Sequence, residues 1–307
     1  MPLREQPYDE RADYANVATL IRAQAPFARH RVDYPWRLTS PTSPTGADRR
    51  IWRDEHGVIV GFAAWQYPWA SLDFYVQGGP AQAETEAAIF AWADRHFQAL
   101  DAARGRALPY WAEARDDDSE GLALLARHGY DLDDDVVYVS LSQSLAASPP
   151  QANLPAGYTM RPLAGMSEVD AYVEAHRSSF GSGMMTSEWR ARTLQTPEYD
   201  PELDLVVIAP DGRIAGFCVG WLAPELRAGQ IEPFGVAADF QGRGIGHALL
   251  CEILARFKAK GAHMAMVEVY ASSAPARRAY EAAGFSVTHR ALRKGRWASD
   301  IADAQKG

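Results

Sequence analysis

The sequence predicts an α+β fold, a mixed α/β sheet flanked by helices, in two tandem copies. Its 307 residues are enough for two cores of the usual ~100–200 residues each. Segments with strand periodicity alternate with segments of helical periodicity. A constant spacing of 155 residues separates three pairs of glycines in similar contexts: Gly57 and Gly212, Gly61 and Gly216, and Gly129 and Gly284. We therefore interpret the chain as a duplicated domain.

The second copy shows the alternation of elements most clearly. Its helical segments repeat apolar residues every three or four positions, and Gly261 follows the longest of them, which is typical of a helix end. We predict strands at 158–163, 204–208, 212–221, 230–236, 262–270 and 286–292, and helices at 166–179, 244–260 and 275–283. Three antiparallel strands followed by alternating strands and helices indicate a mixed, mostly antiparallel sheet.

A change of composition separates the two copies. Prolines and small polar residues interrupt the apolar patterning around residues 146–155, as in a linker. We predict a first domain at 1–145, a linker at 146–155 and a second domain at 156–307.

Composition excludes several classes of function. The formal charge of -8 argues against a protein that binds nucleic acid by neutralising phosphates over a broad surface. The first 150 residues hold 22 acidic and 14 basic residues, and the rest hold 17 of each, so the net charge lies in the first half. The longest apolar stretch, 57–65, is far shorter than the ~20 residues of a membrane span. The charged N-terminus lacks a signal-peptide pattern, and we expect a cytoplasmic protein without nucleic-acid or membrane partners.

The most informative segment is Gln241-Gly-Arg-Gly-Ile-Gly246, which follows a predicted strand and opens a predicted helix. Successive backbone N–H groups in such a turn can point into one concavity, where the helix N-terminus favours an anion such as a diphosphate. A P-loop requires Gly-Lys-Ser/Thr where this chain has Gly-His-Ala, and the glycine spacing of a dinucleotide fingerprint is absent. A closely packed loop without a ligand remains the alternative.

Together with a second segment, this turn resembles a known family. Val267-Glu-Val is followed by Tyr280 and Gly284-Phe285 at the spacing of the GNAT superfamily of acyl-CoA-dependent N-acyltransferases. The resemblance covers about residues 158–295 and is to the tandem-domain type, with a mycothiol synthase-like architecture. It implies two GNAT-like domains that use acetyl-CoA as co-substrate. The residues that it assigns to cofactor binding are Phe234, Gly235, Val236, Gln241, Gly242, Arg243, Gly244, Ile245, Gly246, His247 and Ser273.

Within that resemblance, backbone groups of 234–236 would pair with the pantetheine arm and the glycine turn would hold the pyrophosphate. Ser273 stands where the family usually has asparagine, and a serine there can cap the helix that starts near Pro275. Tyr280 would protonate the departing thiolate. Glu268 and Glu232 are the candidate general bases, with a surface or structural carboxylate as the alternative for each. No metal site is predicted.

The first copy lacks this turn. Its text has glutamates, including Glu84 and Glu86, near the corresponding helix start, and no shift of the repeat restores the glycine pattern. We predict a degenerate, non-catalytic first domain and an N-acetyltransferase that moves an acetyl group to a primary amine of a small molecule in a ternary complex. The alternatives are a protein or peptide N-terminal acetyltransferase and a non-catalytic acyl-CoA-binding sensor or interaction module. The expected assembly is a monomer with an intrachain pseudo-dimer, or a homodimer.

Overall fold

The structure, a computed structural model, describes residues 3–24, 28–41, 48–147, 149, 151 and 153–298. Residues 148, 150 and 152 of the predicted linker and 299–307 of the predicted second domain lie outside the described residues. In chain order the elements are β1 (Arg4–Pro7), α1 (Glu10–Arg22), α2 (Tyr34–Leu38), β2 (Arg49–Arg53), β3 (Ile59–Gln66), β4 (Ser71–Val76), α3 (Gln82–Arg104), β5 (Pro109–Arg115), α4 (Ser119–Arg127), β6 (Leu132–Ser144), β7 (Thr159–Pro162), α5 (Val169–Phe180), α6 (Ser187–Thr193), β8 (Asp204–Ile208), β9 (Ile214–Ala223), β10 (Ala228–Val236), α7 (Ile245–Ala259), β11 (Met264–Tyr270), α8 (Ala274–Ala282) and β12 (Ser286–Trp297).

The chain forms two compact units. Unit 1 comprises residues 1–34, 40–137 and 290–307, and unit 2 comprises residues 35–39 and 138–289. Two strands run from one unit into the other: β6 begins in unit 1 and ends in unit 2, and β12 does the reverse. Each repeat therefore contributes the end of its last strand to the unit built mainly by the other repeat.

In unit 1, the strands follow the order β1-β2-β3-β4-β5-β12. Neighbouring strands are antiparallel except for β4 and β5, which pair in parallel. The helix α3 packs its buried face against this sheet and ends at Gly105, whose φ of 67° is the left-handed conformation common at helix ends. Large side chains fill the core, among them Trp52, Trp65, Phe90, Phe97 and Tyr110.

In unit 2, the strands follow the order β6-β11-β10-β9-β8-β7, and the parallel pair is β10 with β11. The helix α7 crosses this sheet with an apolar stripe that is buried from Ile245 to Phe257. The Phe257 ring lies so close to two glycines of the sheet that a Cβ atom built on Gly220 or Gly229 would approach it to 2.7 Å. Glycine at these positions lets the helix lie close to the strands.

The α+β prediction is confirmed, and most elements of the second copy lie within a few residues of their predicted places. The predicted strand 204–208 coincides with β8, and the predicted helices 244–260 and 275–283 are α7 and α8. The segment 166–179 divides into a 3-10 turn over Gly165–Glu168 followed by α5. The short helix α6 is absent from the prediction, although Thr186 accepts a hydrogen bond from the backbone N–H of Trp189 as an ordinary N-cap.

The structure also shows the repeat. Pro109 and Met264 begin β5 and β11, and Ser119 and Ala274 begin α4 and α8, each 155 residues apart. Both cysteines are free and buried, as expected from their apolar neighbours. Within the described ranges, no helix combines the length and hydropathy needed to cross a bilayer.

Candidate functional site

The site begins where two parallel strands of unit 2 stop pairing. The register of β10 with β11 extends from Ala228 opposite Met264 to Ile231 opposite Val267. The ladder of β10 with β9 is irregular between Ile231 and Phe234 and then continues to Val236. The last residues of β10 therefore keep one neighbouring strand, and their other backbone edge is available to an extended ligand that adds as a strand.

A glycine turn follows this strand and leads into α7. Gly242 has a φ of 73°, and Gly244, at the N-cap, has a φ of 81°. A Cβ atom on either residue would meet nothing within 4 Å, so backbone conformation rather than crowding calls for glycine. No side chain caps α7, and its first turn has no acidic residue. The N–H groups of that turn are therefore suited to bind an anion.

The other predicted cofactor residues occupy different positions around this turn. Gln241 donates from Nε2 to the carbonyl of Val236 at 3.2 Å and so joins the turn to β10. Arg243 is exposed and donates to the Tyr158 hydroxyl at 3.3 Å and to the Asp239 carbonyl at 3.2 Å. Its guanidinium lies at the turn and would add positive charge to an anion site.

Three residues at the start of α7 differ in exposure. Ile245 is buried, so only its backbone can contribute to the turn. Gly246 lies against β10, because a Cβ there would be 3.2 Å from the Phe234 ring. His247 is exposed, with its Nε2 3.5 Å from the Cys251 sulfur. The backbone of this turn and the two side chains Arg243 and His247 fit a diphosphate.

Gly235 has a structural reason to be glycine. A Cβ built on it would lie 2.2 Å from the Ser179 hydroxyl oxygen and 2.6 Å from the Phe217 ring. The end of α5 therefore packs directly on the backbone of β10. Ser178 supports the same contact by accepting a hydrogen bond from the backbone N–H of Ala238 at 3.1 Å.

Tyr280 projects from α8 toward the end of β10. It is 4% exposed, and its ring centroid is 5.6 Å from that of Phe234 and 5.7 Å from that of Phe285. Burial raises the pKa of Tyr280 well above its usual value, and the neighbouring Cys218 and Glu232 side chains raise it further. The hydroxyl is therefore protonated at neutral pH and can act as a proton donor.

Ser273 precedes α8, but the expectation that it caps this helix is wrong. No side-chain hydrogen bond from Ser273 caps α8, although its carbonyl accepts the backbone N–H of Arg277 at 3.1 Å. A capping hydroxyl needs the N–H of the second or third helical residue. Pro275, the second residue of α8, has no N–H to give.

The two candidate bases lie on the separating strands. Glu232 and Glu268 are the first residues after the last parallel pair, Ile231 with Val267. Ser140 donates from its hydroxyl to Glu268 Oε1 at 2.9 Å. The negative charge of Glu232 contributes to the raised pKa of Tyr280, so these two side chains are within electrostatic reach of each other. The structure thus brings Glu232, Tyr280 and Phe234 together, with Glu268 on the neighbouring strand.

Polar residues that sequence reasoning missed lie beneath this part of the sheet. Arg190 of α6 is fully buried, forms an ion pair with Asp204, and stacks over the Tyr172 ring with its guanidinium carbon 3.8 Å from the ring centroid. The Tyr199 hydroxyl donates to Asp204 at 2.7 Å. His176 of α5 lies among aromatic rings, 5.5 Å from Phe217. No motif marks these residues, because their burial depends on tertiary packing.

Unit 1 contains only part of this arrangement. Its parallel strands β4 and β5 also pair briefly, at Ser71 with Trp111 and Leu72 with Ala112. Before α3, however, the N-cap is Ala81, where unit 2 has Gly244, and Glu84 lies in the first turn of the helix. An acidic first turn stabilises the helix and repels a bound anion.

Comparisons with known proteins agree with this geometry. Residues 169–285 match the acetyltransferase (GNAT) family. A mycothiol acetyltransferase of Pseudarthrobacter chlorophenolicus is 27% identical over 218 residues, which cover 68% of this chain and 64% of that protein. A mycothiol acetyltransferase of Salinispora arenicola is 26% identical over 294 residues, covering 89% of this chain and 90% of that protein. The chain thus spans less than two thirds of the first of these relatives.

Solved structures share the fold over nearly the whole chain. A GCN5-related N-acetyltransferase from Sphaerobacter thermophilus has a TM-score of 0.62 at 24% identity, covering 96% of both chains. A tandem GNAT protein from the clavulanic acid biosynthesis pathway also has a TM-score of 0.62, at 15% identity, covering 97% of this chain and 99% of that one. The fold is that of a tandem GNAT protein, and residues 169–285 belong to the GNAT acetyltransferase family.

Proposed function

We propose that the chain is an acetyl-CoA-dependent N-acetyltransferase that acts on a primary amine of a small molecule through unit 2. The observation that carries this proposal is the separation of β10 from β11 directly before the glycine turn of α7. A backbone edge for an amide-containing arm and a turn for a diphosphate follow each other along the chain. The family match over 169–285 supports the same chemistry.

In this proposal the backbone of Phe234, Gly235 and Val236 binds the pantetheine arm, and the turn 241–247 binds the pyrophosphate. Acetyl-CoA supplies an acetyl thioester. Ser273 is retained as a residue near the cofactor through its backbone, since its hydroxyl does not cap α8. A proton shared with the turn is unnecessary, because its positive charge comes from Arg243 and the helix N-terminus.

The residues of this chain divide the remaining work. A backbone N–H of 234–236 stabilises the negative charge that develops on the carbonyl oxygen during attack. An alkylamine has a pKa near ~10.4, so the acceptor must lose a proton before it attacks, and Glu232 or Glu268 accepts that proton directly or through water. Tyr280, held protonated by burial, donates a proton to the leaving thiolate.

We propose that unit 1 keeps the fold without catalysis, and that the division into domains at 1–145 and 156–307 describes the two repeats. The support is local: Ala81 and Glu84 at the start of α3 replace the features that favour an anion in unit 2. The acceptor amine is a proposal as well, supported by the two carboxylates beside the cleft.

A thiol-release assay tests the proposal. The full chain is incubated with acetyl-CoA and either a panel of small primary amines or a peptide with a free N-terminus. We expect release of CoA thiol and N-acetylated product with a small amine. Product on the peptide alone would favour the N-terminal acetyltransferase. Acetyl-CoA binding without product on any acceptor would favour the sensor, and neither binding nor product would exclude all three.

A further inference from the structure

A strip of side chains runs along one face of unit 2 beside the cleft. Along β11, Met266, Glu268 and Tyr270 alternate with buried residues and therefore share one face. On the adjacent strand β6, Ser140 is the register partner of Glu268, and Tyr138 is the partner of Tyr270. We call these five residues the acceptor strip.

A carboxylate of fixed position lies at the centre of the acceptor strip. The Ser140 hydroxyl donates to Oε1 of Glu268 at 2.9 Å across the ladder. A carboxylate can accept several hydrogen bonds on its two oxygens, so this contact orients Glu268 and leaves it able to accept more. Hydrogen bonds from an ammonium group to such a carboxylate are strong because both groups are charged.

An aromatic pair lies next to that carboxylate. The ring centroids of Tyr138 and Tyr270 are 4.7 Å apart, with an angle of 33° between the ring planes. Tyr138 is 7% exposed and so supports the pair from below, whereas Tyr270 is 46% exposed. The face of an exposed tyrosine attracts cations and covers apolar groups, and Met266 adds a thioether on the same face.

The strip lies where the acceptor must arrive. Val267, one residue before Glu268, is the last residue of β11 in register with β10. Glu232 is the residue that follows the corresponding position on β10. Two carboxylates thus lie at the point where the strands separate, one next to aromatic side chains and the other within electrostatic reach of Tyr280.

We infer that the acceptor strip binds the acceptor as an ammonium ion with an apolar or aromatic body, and that Glu232 is the proton acceptor. This inference rests on the proposed function and names the class of its substrate. Glu268 accepts hydrogen bonds from the ammonium group, and Tyr270 and Met266 cover the body of the molecule. An amine with a carboxylate on the adjacent carbon is excluded by repulsion from Glu268 and Glu232.

Phenethylamine and phenylalanine form a matched pair of probes, since they differ by one carboxylate. With the full chain and saturating acetyl-CoA, we expect kcat/KM for phenethylamine to exceed that for phenylalanine by about 100-fold. Glu268→Gln should raise the KM for phenethylamine about tenfold or more, since hydrogen bonds to a charged group are strong. It should leave the KM for acetyl-CoA unchanged and narrow the discrimination against phenylalanine.

Further variants separate binding from proton transfer. Glu232→Gln should lower kcat and change its pH profile with little effect on the KM for phenethylamine. Tyr270→Phe keeps the ring and should behave nearly as the wild type, whereas Tyr270→Ala should raise the KM. Glu225→Gln, which neutralises an exposed glutamate in the 3-10 turn after β9, is the matched control and should change neither constant.

Ligand-detected NMR measures phenethylamine binding in the presence of CoA and does not need turnover. Binding to the wild type that is lost in Glu268→Gln supports the inference. No binding to the wild type, binding retained in Glu268→Gln, or a fall in kcat at constant KM in that variant would overturn it. Acetylation of other amines in the same preparation would then leave the proposed function intact, whereas failure to bind CoA would remove both.

Discussion

At the scale of single residues, Tyr280 has surroundings that suit a proton donor. It is buried against Phe234 and Phe285, and burial raises the pKa of its hydroxyl. Replacement with phenylalanine keeps the packing and removes the proton. We expect Tyr280→Phe to lower kcat about 100-fold, the lower end of what general acid catalysis contributes. Acetyl-CoA affinity, measured by calorimetry, should stay within twofold of wild type, and an unchanged kcat would contradict the assignment.

His176 makes stability depend on pH. Burial, with the nearby charges of Arg190 and Arg177, lowers the pKa of His176 to about 4. Because the unfolded pKa is near ~6.5, the unfolded chain binds a proton that the folded chain does not, between these two values. The contribution of neutral His176 is complete above pH ~6.5 and is lost as the pH falls toward 4, by up to about 3 kcal/mol.

Urea unfolding at several pH values between 7 and 4.5 measures this loss. His176→Phe keeps an aromatic ring beside Phe217 and cannot titrate, so it serves as the control. We expect the wild type to lose more free energy of unfolding than the variant over this range. Equal losses in both proteins would assign the acid sensitivity to other groups.

Residue positions differed in how far the sequence predicted them. Tyr280, Glu232 and the glycines of the turn are found through motif spacing, because backbone conformation and chemistry constrain a short stretch of sequence. The capping role expected of Ser273 is wrong, since Pro275 removes an N–H group that a serine would cap. The buried pair Arg190 and Asp204 carries no sequence signal, because two distant segments create its surroundings only after folding.

At the scale of elements, the packing of α7 on the sheet depends on glycines. A Cβ on Gly220 or Gly229 would lie 2.7 Å from the Phe257 ring. We expect Gly220→Ala to cost about 1–3 kcal/mol of unfolding free energy through overpacking. Gly183→Ala is the control, because a Cβ at Gly183 meets nothing within 4 Å and its φ is not positive.

Denaturant titration of both variants measures this cost. Phe257→Leu combined with Gly220→Ala should cost less than the sum of the two single changes, because the smaller side chain makes room for the methyl group. Strict additivity, or an equal cost for Gly183→Ala and Gly220→Ala, would show that the close contact does not determine stability.

Elements with strong periodicity were predictable, and short ones were not. The helix α7 has a buried apolar stripe of several turns, and β8 is a continuous apolar segment, so both were located within one residue. The seven-residue helix α6 is too short to show a period, although its N-cap Thr186 and the acidic Glu188 form a start signal. The separation of β10 from β11 depends on pairing between distant segments and was not visible in the sequence itself.

At the scale of the whole molecule, the repeat was predictable from spacing alone. The strands β5 and β11 and the helices α4 and α8 keep the offset of 155 residues, whereas α3 and α7 begin 163 residues apart. This longer offset aligns the glycine turn of unit 2 with residues just before Gln82, rather than with Glu86. The contribution of β6 and β12 to two units was not predictable, because strand pairing is non-local.

The two repeats therefore differ at one functional point, the start of the helix after the parallel strand. Unit 2 has Gly244 there, and unit 1 has Ala81 followed by Glu84. We expect one molecule of acetyl-CoA to bind per chain, at unit 2. Two variants with equal backbone strain test this: Gly244→Leu at the turn and Gly212→Leu in the hairpin before β9, whose φ values are 81° and 86°.

Isothermal titration calorimetry of the full chain with acetyl-CoA tests the central claim most directly. The account predicts a stoichiometry of one for the wild type and for Gly212→Leu, and at least a tenfold loss of affinity in Gly244→Leu. Two equivalents bound per chain, no binding by the wild type, or full affinity in Gly244→Leu would contradict the claim that the glycine turn of unit 2 is the cofactor site.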